Sequence, residues 1–356
     1  MKRCTKCTLP DTIPGITFDA EGVCSYCSSS KDFKEAGEEK LIQLVDSIRQ
    51  KHPKYDAIVP ISGGRDSSFV LWYAVKVLKL RVLAVSFHND FVNNQAIDNI
   101  KNASGILNND YLIVRSKFSL PRLVTKHYLK ANAKAGPYGV INTMCAACTF
   151  GQKAAVLREA DKQNIPLILW GGSSSESTLD ILETASEKYR RDYKKFFKNP
   201  VNKRLNIHLY LAKFFYFLLK LEFFVRGNSV FKKKFSLKRD DILQISLFDY
   251  VKWDRKRIKE TIMNELGWKK AEGHVSTWRN DCNIHPFMNW AFVKMYGCTK
   301  DSFGYSNMIN NGNMNREESL YQEEKMLEDI ESNAKRIATE IIGLSEEEFN
   351  KIAEKK

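Results

Sequence analysis

The stretch Ala57-Ile58-Val59-Pro60-Ile61-Ser62-Gly63-Gly64-Arg65-Asp66-Ser67-Ser68 decides the fold. An apolar run of strand length, Ala57–Ile61, leads into a Ser-Gly-Gly loop, and a helical pattern follows over Ser67–Leu80. Glycines let backbone N–H groups approach an anion, and the N-terminus of the helix adds its dipole and its free amides. The stretch therefore predicts a phosphate-binding loop between a strand and a helix.

The side chains of this loop suit the same role. Ser62, Ser67 and Ser68 offer hydroxyl donors, and Arg65 offers positive charge. The chain contains no GxxxxGK[ST] sequence, so the loop is not of the Walker type. The simpler alternative is a Gly-Gly turn that only joins a strand to a helix. The serines that flank the glycines favour the phosphate loop.

Strands and helices alternate on either side of the loop. The predicted strands are Ala57–Ile61, Arg81–Phe87, Tyr111–Val114 and Pro166–Trp170, and the predicted helices are Ser67–Leu80, Asn93–Leu107, Leu120–Asn132 and Cys148–Gln163. This alternation predicts an α/β fold with a parallel sheet, on which ligands bind beyond the carboxyl ends of the strands. His88, Asn89 and Asp90 follow the second strand, so they are candidates for an adenine or ribose contact, or form an ordinary polar loop.

Four cysteines near the N-terminus have the spacing of a metal site. Cys4, Cys7, Cys24 and Cys27 give C-x2-C-x16-C-x2-C. Four thiolates around one ion describe a closed structural zinc site, so the spacing predicts an N-terminal zinc ribbon that does no chemistry itself. Free surface thiols are the alternative.

The phosphate loop resembles a known family. Ser62–Ser67 is similar to the SGGxDS loop of the PP-loop ATP pyrophosphatases, and the resemblance covers roughly residues 56–180. It implies an adenine nucleotide alpha hydrolase-like sheet, cleavage of ATP between the α- and β-phosphates, and adenylation of a carbonyl oxygen. Ser62, Gly63, Gly64, Ser67 and Ser68 would bind the pyrophosphate, with Arg65 as a charge donor, and Asp66 would support Mg²⁺ or the loop.

The Gly-rich segment after the last predicted strand departs from that family. Related enzymes often have GHNxDD there, whereas this chain has Gly171-Gly172-Ser173-Ser174-Ser175-Glu176, without His or paired Asp. The segment Gly171–Ser174 is expected to face the α-phosphate and the adenylate. The departure argues against a simple tRNA-thiolating enzyme.

Three further cysteines extend the resemblance. Cys145, Cys148 and Cys282 are laid out like the cysteines that hold an iron–sulfur cluster in some PP-loop thiolases, which would leave one iron open. A second zinc, a redox pair and small core cysteines are the alternatives. Asp281 and His285, beside Cys282, are candidates to bind substrate or to orient ammonia. Cys298 is interpreted as a core residue.

Taken together, these motifs resemble the bacterial N-acetyl sugar amidotransferases of surface-polysaccharide and nonulosonic-acid pathways, such as those that build lipopolysaccharide O-antigen. The resemblance implies ATP-dependent replacement of an acetamido oxygen by ammonia on an N-acetylated sugar or nucleotide sugar. No cysteine lies in a glutaminase context, so a separate glutaminase subunit, with a cyclase-like subunit, is implied as partner. The runner-up is tRNA thiolation, with Cys145, Cys148 and Cys282 carrying the sulfur centre.

The amino-acid composition distinguishes a basic insert from the rest of the chain. The 356 residues are 43% apolar and 28% charged, which fits a globular protein, with a net charge of +14. Residues 188–239 hold 16 Lys or Arg and two acids, so this basic insert carries the whole excess. Its apolar middle, Leu205–Val225, predicts a helix. The insert is interpreted as a helical hairpin on the core, a peripheral membrane contact through 205–239, or an acidic-partner dock, with nucleic acid disfavoured.

The predicted domains are a zinc ribbon (1–30), the ATP-binding α/β domain (31–184), the basic insert (185–239) and a helical C-terminal substrate or partner region (240–356). Residues 31–50 read as a linker helix. The N-terminus has no apolar segment of signal-peptide type, and eight cysteines without disulfide-scaffold density suit a reducing compartment. A cytoplasmic location is expected, and the alternative is a peripheral location at the surface of the inner membrane.

Overall fold

The computed structural model describes residues 1–30, 34–49, 51, 53–172, 206–226, 241–275 and 277–354. These residues form an α/β fold around one parallel sheet of five strands in the order β3-β2-β1-β4-β5. The strands are β1 (Ala57–Pro60), β2 (Val82–His88), β3 (Asp110–Arg115), β4 (Leu167–Trp170) and β5 (Leu243–Ser246). The α/β class and the parallel sheet predicted from the sequence are confirmed.

The sheet is built around β1. Ala57 is in register with Val82 of β2 on one side and with Leu167 of β4 on the other. All four residues of β1 are buried, as expected for an apolar strand that is covered on both faces. The order of the strands reverses direction at β1, since the chain moves outward to β2 and β3 and then returns to β4. Such a reversal creates a crevice at the carboxyl ends of β1 and its neighbours.

Helices cover both faces of the sheet and continue into the C-terminal part. Those with α-helical geometry are α1 (Ser25–Ser29), α2 (Glu38–Asp46), α3 (Arg65–Trp72), α4 (Asn94–Leu107), α5 (Leu120–Ala131), α6 (Pro137–Thr143), α7 (Ala146–Lys162), α8 (Ile207–Arg226), α9 (Arg255–Leu266), α10 (His285–Tyr296), α11 (Lys300–Asn310), α12 (Arg316–Leu327), α13 (Ile330–Arg336) and α14 (Glu346–Ala353). Side chains of α2, α3, α4 and α9 share one buried core with one face of the sheet, and those of α5, α7 and α8 share another with the opposite face.

The four strands predicted from the sequence agree with the structure to within one residue at nearly every end. The helix predicted over Ser67–Leu80 instead begins at Arg65, and after Trp72 it continues as a π-helical turn, Tyr73–Val77. The sequence analysis did not predict β5 or α6. Because β5 follows the basic insert and pairs with β4, the sheet takes strands from both sides of that insert.

The described part of the basic insert is α8, which matches the predicted apolar segment. Leu219 and Phe223 of α8 are buried among α5 and α7, and Glu222 accepts hydrogen bonds from the Ser116 hydroxyl at 2.8 Å and the Lys117 amide at 2.9 Å. The helix is therefore part of the folded core. The basic residues at 188–204 and 232–239 lie outside the described residues. In the described ranges, no helix combines the length and the apolar character that a membrane span requires.

Candidate functional site

The predicted phosphate loop occupies the carboxyl end of the central strand. Its backbone is held by serine hydroxyls: the Ser62 N–H donates to Ser67 Oγ at 3.2 Å, and the Gly64 N–H donates to Ser62 Oγ at 3.3 Å. The two hydroxyl oxygens lie 3.1 Å apart. Ser62 and Ser67 are partly exposed, so these hydroxyls lie at the surface of the loop, where a ligand can reach them.

The two glycines of the loop have different reasons to be glycine. Gly63 has φ +79°, and a Cβ at this position would lie 2.0 Å from the backbone oxygen of Ala96 in α4. Gly64 has an ordinary φ of −75°, and a Cβ there would lie 3.2 Å from Ser62 Oγ and 3.4 Å from Asp281 Oδ1. Gly63 therefore lets the loop pack against α4, whereas Gly64 lets Asp281 approach the loop closely.

The N-terminus of α3 has unused backbone donors. Gly64 is the N-cap residue, and as a glycine it has no side chain that could cap the helix. The first amides of an α-helix have no partner within the helix, and together with the helix dipole they attract anions. The loop and the first turn of α3 thus form a site suited to a phosphate group.

Arg65 and Asp66 bind each other beside the loop. The Arg65 Nε and Nη2 atoms donate to the two oxygens of Asp66 at 3.0 and 2.9 Å, and the Trp253 indole also donates to Asp66 Oδ1 at 3.1 Å. Arg65 is 3% exposed and lies against the rings of Trp253 and Trp278. The predicted roles of Arg65 as charge donor and Asp66 as Mg²⁺ support stay predictions. The contacts observed favour a role in holding the loop.

The remaining predicted phosphate residues fall into two groups. Ser68 is fully buried, and its hydroxyl donates to the Gly64 carbonyl at 2.8 Å, so it would reach phosphate only if that bond were broken. Gly171 follows β4, and a Cβ there would lie 3.6 Å from the Ser67 amide nitrogen. Gly172 has open space around it. Ser173 lies outside the described residues. Gly171 thus borders the phosphate loop.

Polar side chains also follow β2 at the same edge of the sheet. Burial lowers the pKa of His88, and the nearby Arg115 lowers it further. Asp90 has φ +68° and its Oδ2 atom is buried without a hydrogen-bond partner among the described residues. Burial raises the pKa of this carboxyl. The Asn89 Oδ1 accepts a bond from the Phe91 amide at 3.1 Å. The predicted nucleotide contacts of these residues remain untested.

The C-terminal region supplies one wall of the site, in line with the prediction of Asp281 and Cys282 as site residues, but the contacts that hold it there were not predicted. Cys282 forms an antiparallel bridge with Val92, just after β2. Asn93 caps α4 through its Oδ1 and donates from its Nδ2 to the Asn280 carbonyl at 2.6 Å. These bonds bring Asp281 to Gly64.

The same region also contacts the loop from the α4 side. The Trp268 indole donates to the Gly63 carbonyl at 2.9 Å, and Asn99 Nδ2 donates to that carbonyl at 3.2 Å and to the Lys269 carbonyl at 2.8 Å. One feature of the sequence that could have indicated these contacts is a group of tryptophans downstream, at Trp253, Trp268, Trp278 and Trp290.

The three cysteines predicted as a second metal site lie around the end of β2. Cys145 is the N-cap of α7, Cys148 lies near Asn89, and Cys282 pairs with Val92. Burial, Asp281 and Cys145 raise the pKa of Cys282 to about 12. Among the described residues, the three sulfurs are not gathered closely enough to share a single ion, which an iron–sulfur cluster with one thiolate on each of three irons does not require. The structure thus places them in one neighbourhood, and their metal binding stays a prediction.

The four N-terminal cysteines form a compact cluster. Cys4, Cys7, Cys24 and Cys27 are buried, and their sulfurs all lie within 4.8 Å of one another. The Cys4–Cys27 and Cys7–Cys24 sulfurs are 3.9 and 3.7 Å apart. Four sulfurs at about 2.3 Å from one tetrahedral ion lie roughly 3.8 Å apart. The cluster therefore has the size that a single bound metal ion requires.

Backbone amides and a neighbouring helix support this cluster. The Cys24 and Cys7 amides donate to Cys4 Sγ at 3.2 and 3.4 Å, as in thiolate sites. The Arg316 guanidinium of α12 donates to the carbonyls of Cys4 and Cys7 at 3.1 and 3.0 Å. The N-terminal module is thus attached to the C-terminal helices rather than to the sheet.

Known proteins resemble this chain in structure but not in sequence. The chain matches no protein-family model and no curated protein. Several solved structures resemble the chain, including the following two. The U34-tRNA thiolase NcsA from Methanococcus maripaludis, with its [4Fe-4S] cluster, has 12% identity and a TM-score of 0.40 over 95% of this chain and 88% of that chain. The NMN synthetase from Francisella tularensis has 13% identity and a TM-score of 0.39 over 86% of this chain and 94% of that chain.

Proposed function

We propose that the chain is an ATP pyrophosphatase that activates a carbonyl oxygen by adenylation. The observation that carries this proposal is the uncapped N-terminus of α3 beside the Gly63-Gly64 loop, at the carboxyl end of the central strand. Backbone amides and the hydroxyls of Ser62 and Ser67 would bind the pyrophosphate part of ATP, which becomes the leaving group.

We propose further that the acceptor is the acetamido group of a sugar. The acetamide oxygen attacks the α-phosphorus of ATP, pyrophosphate leaves, and the product is an O-adenylated imidate. Ammonia then adds to the imidate carbon, and AMP leaves with the former acetamide oxygen, which gives an acetamidino group. An amide carbon is a poor electrophile because its nitrogen donates electrons into the carbonyl, so the intermediate divides one difficult step into two easier ones.

The chain's own residues would then position the reactants. The α3 amides and the loop hold the phosphates in line, and Gly64 lets Asp281 approach the loop closely. Asp281 is suited to orient ammonia, because its carboxylate can accept hydrogen bonds from the attacking amine. Ammonia would come from a separate glutaminase subunit, with a cyclase-like subunit as a further partner. Peripheral membrane contact through 205–239 stays a prediction, and Leu219 and Phe223 are not available for it because they are buried in the core.

A second candidate function is RNA thiolation, with sulfur in place of ammonia. The observation that favours it is the position of Cys145, Cys148 and Cys282 around the end of β2, on the same edge of the sheet as the phosphate loop. Thiolates there would suit an iron–sulfur cluster that delivers sulfur to an adenylated base.

For the N-terminal cluster we propose a structural zinc ion. Four buried thiolates at the observed separations leave no open coordination position, so the ion would stabilise the fold and not take part in the reaction.

Pyrophosphate release tests the two functions against each other. The purified protein is incubated with ATP, Mg²⁺ and ammonium chloride, once with UDP-N-acetylglucosamine and related N-acetyl sugars and once with bulk tRNA. The amidotransferase proposal predicts pyrophosphate release that depends on a sugar and on ammonium. The thiolation proposal would replace the amidotransferase proposal if pyrophosphate release required tRNA and the protein contained iron equivalent to one cluster.

A further inference from the structure

A polar cavity of about 540 Å³ lies in the C-terminal part of the chain. Its walls come from the loop before α10 and from α10, α11, α12 and α13, so it is separate from the phosphate loop itself. This volume falls in the range of sites that bind small molecules.

A buried amide points to a ligand in this cavity. Asn289 lines the cavity and is 5% exposed, and its Nδ2 donates to Asp301 Oδ2 at 3.2 Å. The Asn289 Oδ1 atom has no hydrogen-bond partner among the described residues. His285 also lines the cavity, and its Nε2 lies 2.7 Å from Asp301 Oδ1. A buried carbonyl oxygen without a donor is costly, so a donor from a bound ligand would complete this network.

The lining suits hydroxyl groups. Three side-chain amides, those of Asn283, Asn289 and Asn333, line the cavity. An amide side chain both donates and accepts hydrogen bonds, as a hydroxyl group does. Trp278 and Met326 add apolar surface that the carbon face of a sugar ring can cover.

The charges of the cavity disfavour an anion inside it. The lining includes the carboxylates of Glu272, Asp301, Glu328 and Asp329, against the two cations Lys325 and Arg336. Lys325 is already paired with Glu328. A phosphate in the cavity would therefore meet mostly like charge. The occupant is thus not expected to be an anion.

One segment joins the cavity to the phosphate loop. The Thr277 hydroxyl accepts a bond from Arg65 Nη1 at 3.1 Å, and Arg65 lies over the Trp278 ring at 5.6 Å. Asp281, four residues after Thr277, faces Gly64, while Asn283 and His285 line the cavity. The residues between 277 and 285 therefore border both places.

We propose that this cavity binds the neutral, hydroxyl-rich ring of the acceptor sugar, while any phosphate carrier of that sugar stays outside. The identity of the ligand as an acceptor rests on the function proposed above. The assignment of the cavity to a neutral sugar ring rests on its own lining.

Direct binding tests the assignment without ATP. N-acetylglucosamine, N-acetylgalactosamine and N-acetylmannosamine are titrated into the full-length protein, with Trp fluorescence and saturation-transfer NMR as readouts. We expect saturable binding of at least one of them. Asn333→Ala is expected to weaken it at least fivefold and Asn289→Leu at least tenfold. Ser332→Ala, on the same helix as Asn333 but outside the cavity, should bind as the wild type does.

The outcomes test sugar binding in the cavity independently of the proposed reaction. Sugar binding that Asn333→Ala and Asn289→Leu weaken supports the cavity even if no AMP is ever formed. Binding that is absent in the wild type, or unchanged in a folded Asn333→Ala variant, overturns it. If these variants also form AMP with an unchanged KM for sugar, the proposed function stands and the acceptor binds elsewhere. Near-UV circular dichroism confirms that each variant is folded.

Discussion

At the scale of single residues, Gly63 and Gly64 of the phosphate loop are expected to respond differently to substitution. Gly64→Val would press its side chain against the Ser62 hydroxyl and the Asp281 carboxylate, beside the proposed phosphate site. The backbone φ of −75° accepts valine, so the fold should survive. We expect pyrophosphate release to fall at least a hundredfold with a change in melting temperature of only a few degrees.

Gly63→Ala provides the contrast. Its Cβ would lie 2.0 Å from a backbone oxygen at a positive φ, so this variant should lose stability, seen as a much lower yield of folded protein. Normal turnover by Gly64→Val would remove the phosphate site from this loop.

The Arg65–Asp66 pair makes a second prediction at this scale. Arg65→Leu would leave the Asp66 carboxylate without its bidentate partner, and the side chains of the pair are 2% and 25% exposed. Removing one partner of such a pair costs about 3 kcal/mol, as measured by urea denaturation. The control is Arg255→Leu, because the Arg255–Glu318 pair is more exposed and its loss should cost below about 1 kcal/mol. Equal losses for the two variants would show that Arg65 does not hold the loop.

At the scale of elements, the N-terminal module depends on its cysteines. Cys24→Ser should lose one equivalent of metal and lower the melting temperature, because metal binding in a small closed site is largely folding free energy. The control Cys298→Ala changes a buried cysteine outside the cluster, so its metal content should stay normal. Elemental analysis of both proteins makes the measurement. A full metal equivalent in Cys24→Ser would contradict the cluster.

The docking of α8 on α5 should depend on pH. His127 of α5 and His208 of α8 have Nδ1 atoms 3.1 Å apart. Burial lowers the pKa of both, and His208 lowers that of His127 further. In the unfolded chain the histidine pKa is about 6.5, which is higher than in the folded protein. As the pH falls, the unfolded chain therefore binds these protons before the folded protein does, and the free energy of unfolding decreases.

The matching experiment compares melting temperatures at pH 7.5 and 5.5. The wild type should lose more of its melting temperature on acidification than the variant His127→Gln/His208→Gln, because the other titrating groups are the same in both. An identical loss would show that the pair does not contribute.

The sequence predicts elements well where the pattern is local. Strands β1 to β4 follow from apolar runs, and the start of α3 follows from the Gly-Gly loop. Strand β5, Leu243–Ser246, does alternate apolar and polar residues, but it is only four residues long and comes after the insert, so its pairing with β4 is what places it in the sheet. Helix α6 is short and rich in turn-forming residues, and its burial against α10 comes from tertiary packing.

At the scale of the whole molecule, the site is assembled from distant parts of the chain. The loop and the four-cysteine cluster are visible in the sequence because each is a local motif. The approach of Asp281 to Gly64 is not, because it depends on hydrogen bonds made by Asn93 and Asn99 across about 170 to 190 positions. The same holds for the cavity, whose lining comes from residues 272 to 341.

The most direct test of the central claim follows one oxygen atom. An N-acetyl sugar that supports pyrophosphate release is prepared with ¹⁸O in its acetamide carbonyl and incubated with ATP, Mg²⁺ and ammonium chloride, and the nucleotide products are analysed by mass spectrometry. The account predicts AMP that carries the label, together with unlabelled pyrophosphate, since the acetamide oxygen attacks the α-phosphorus. AMP without the label, or ADP as the product, would contradict it.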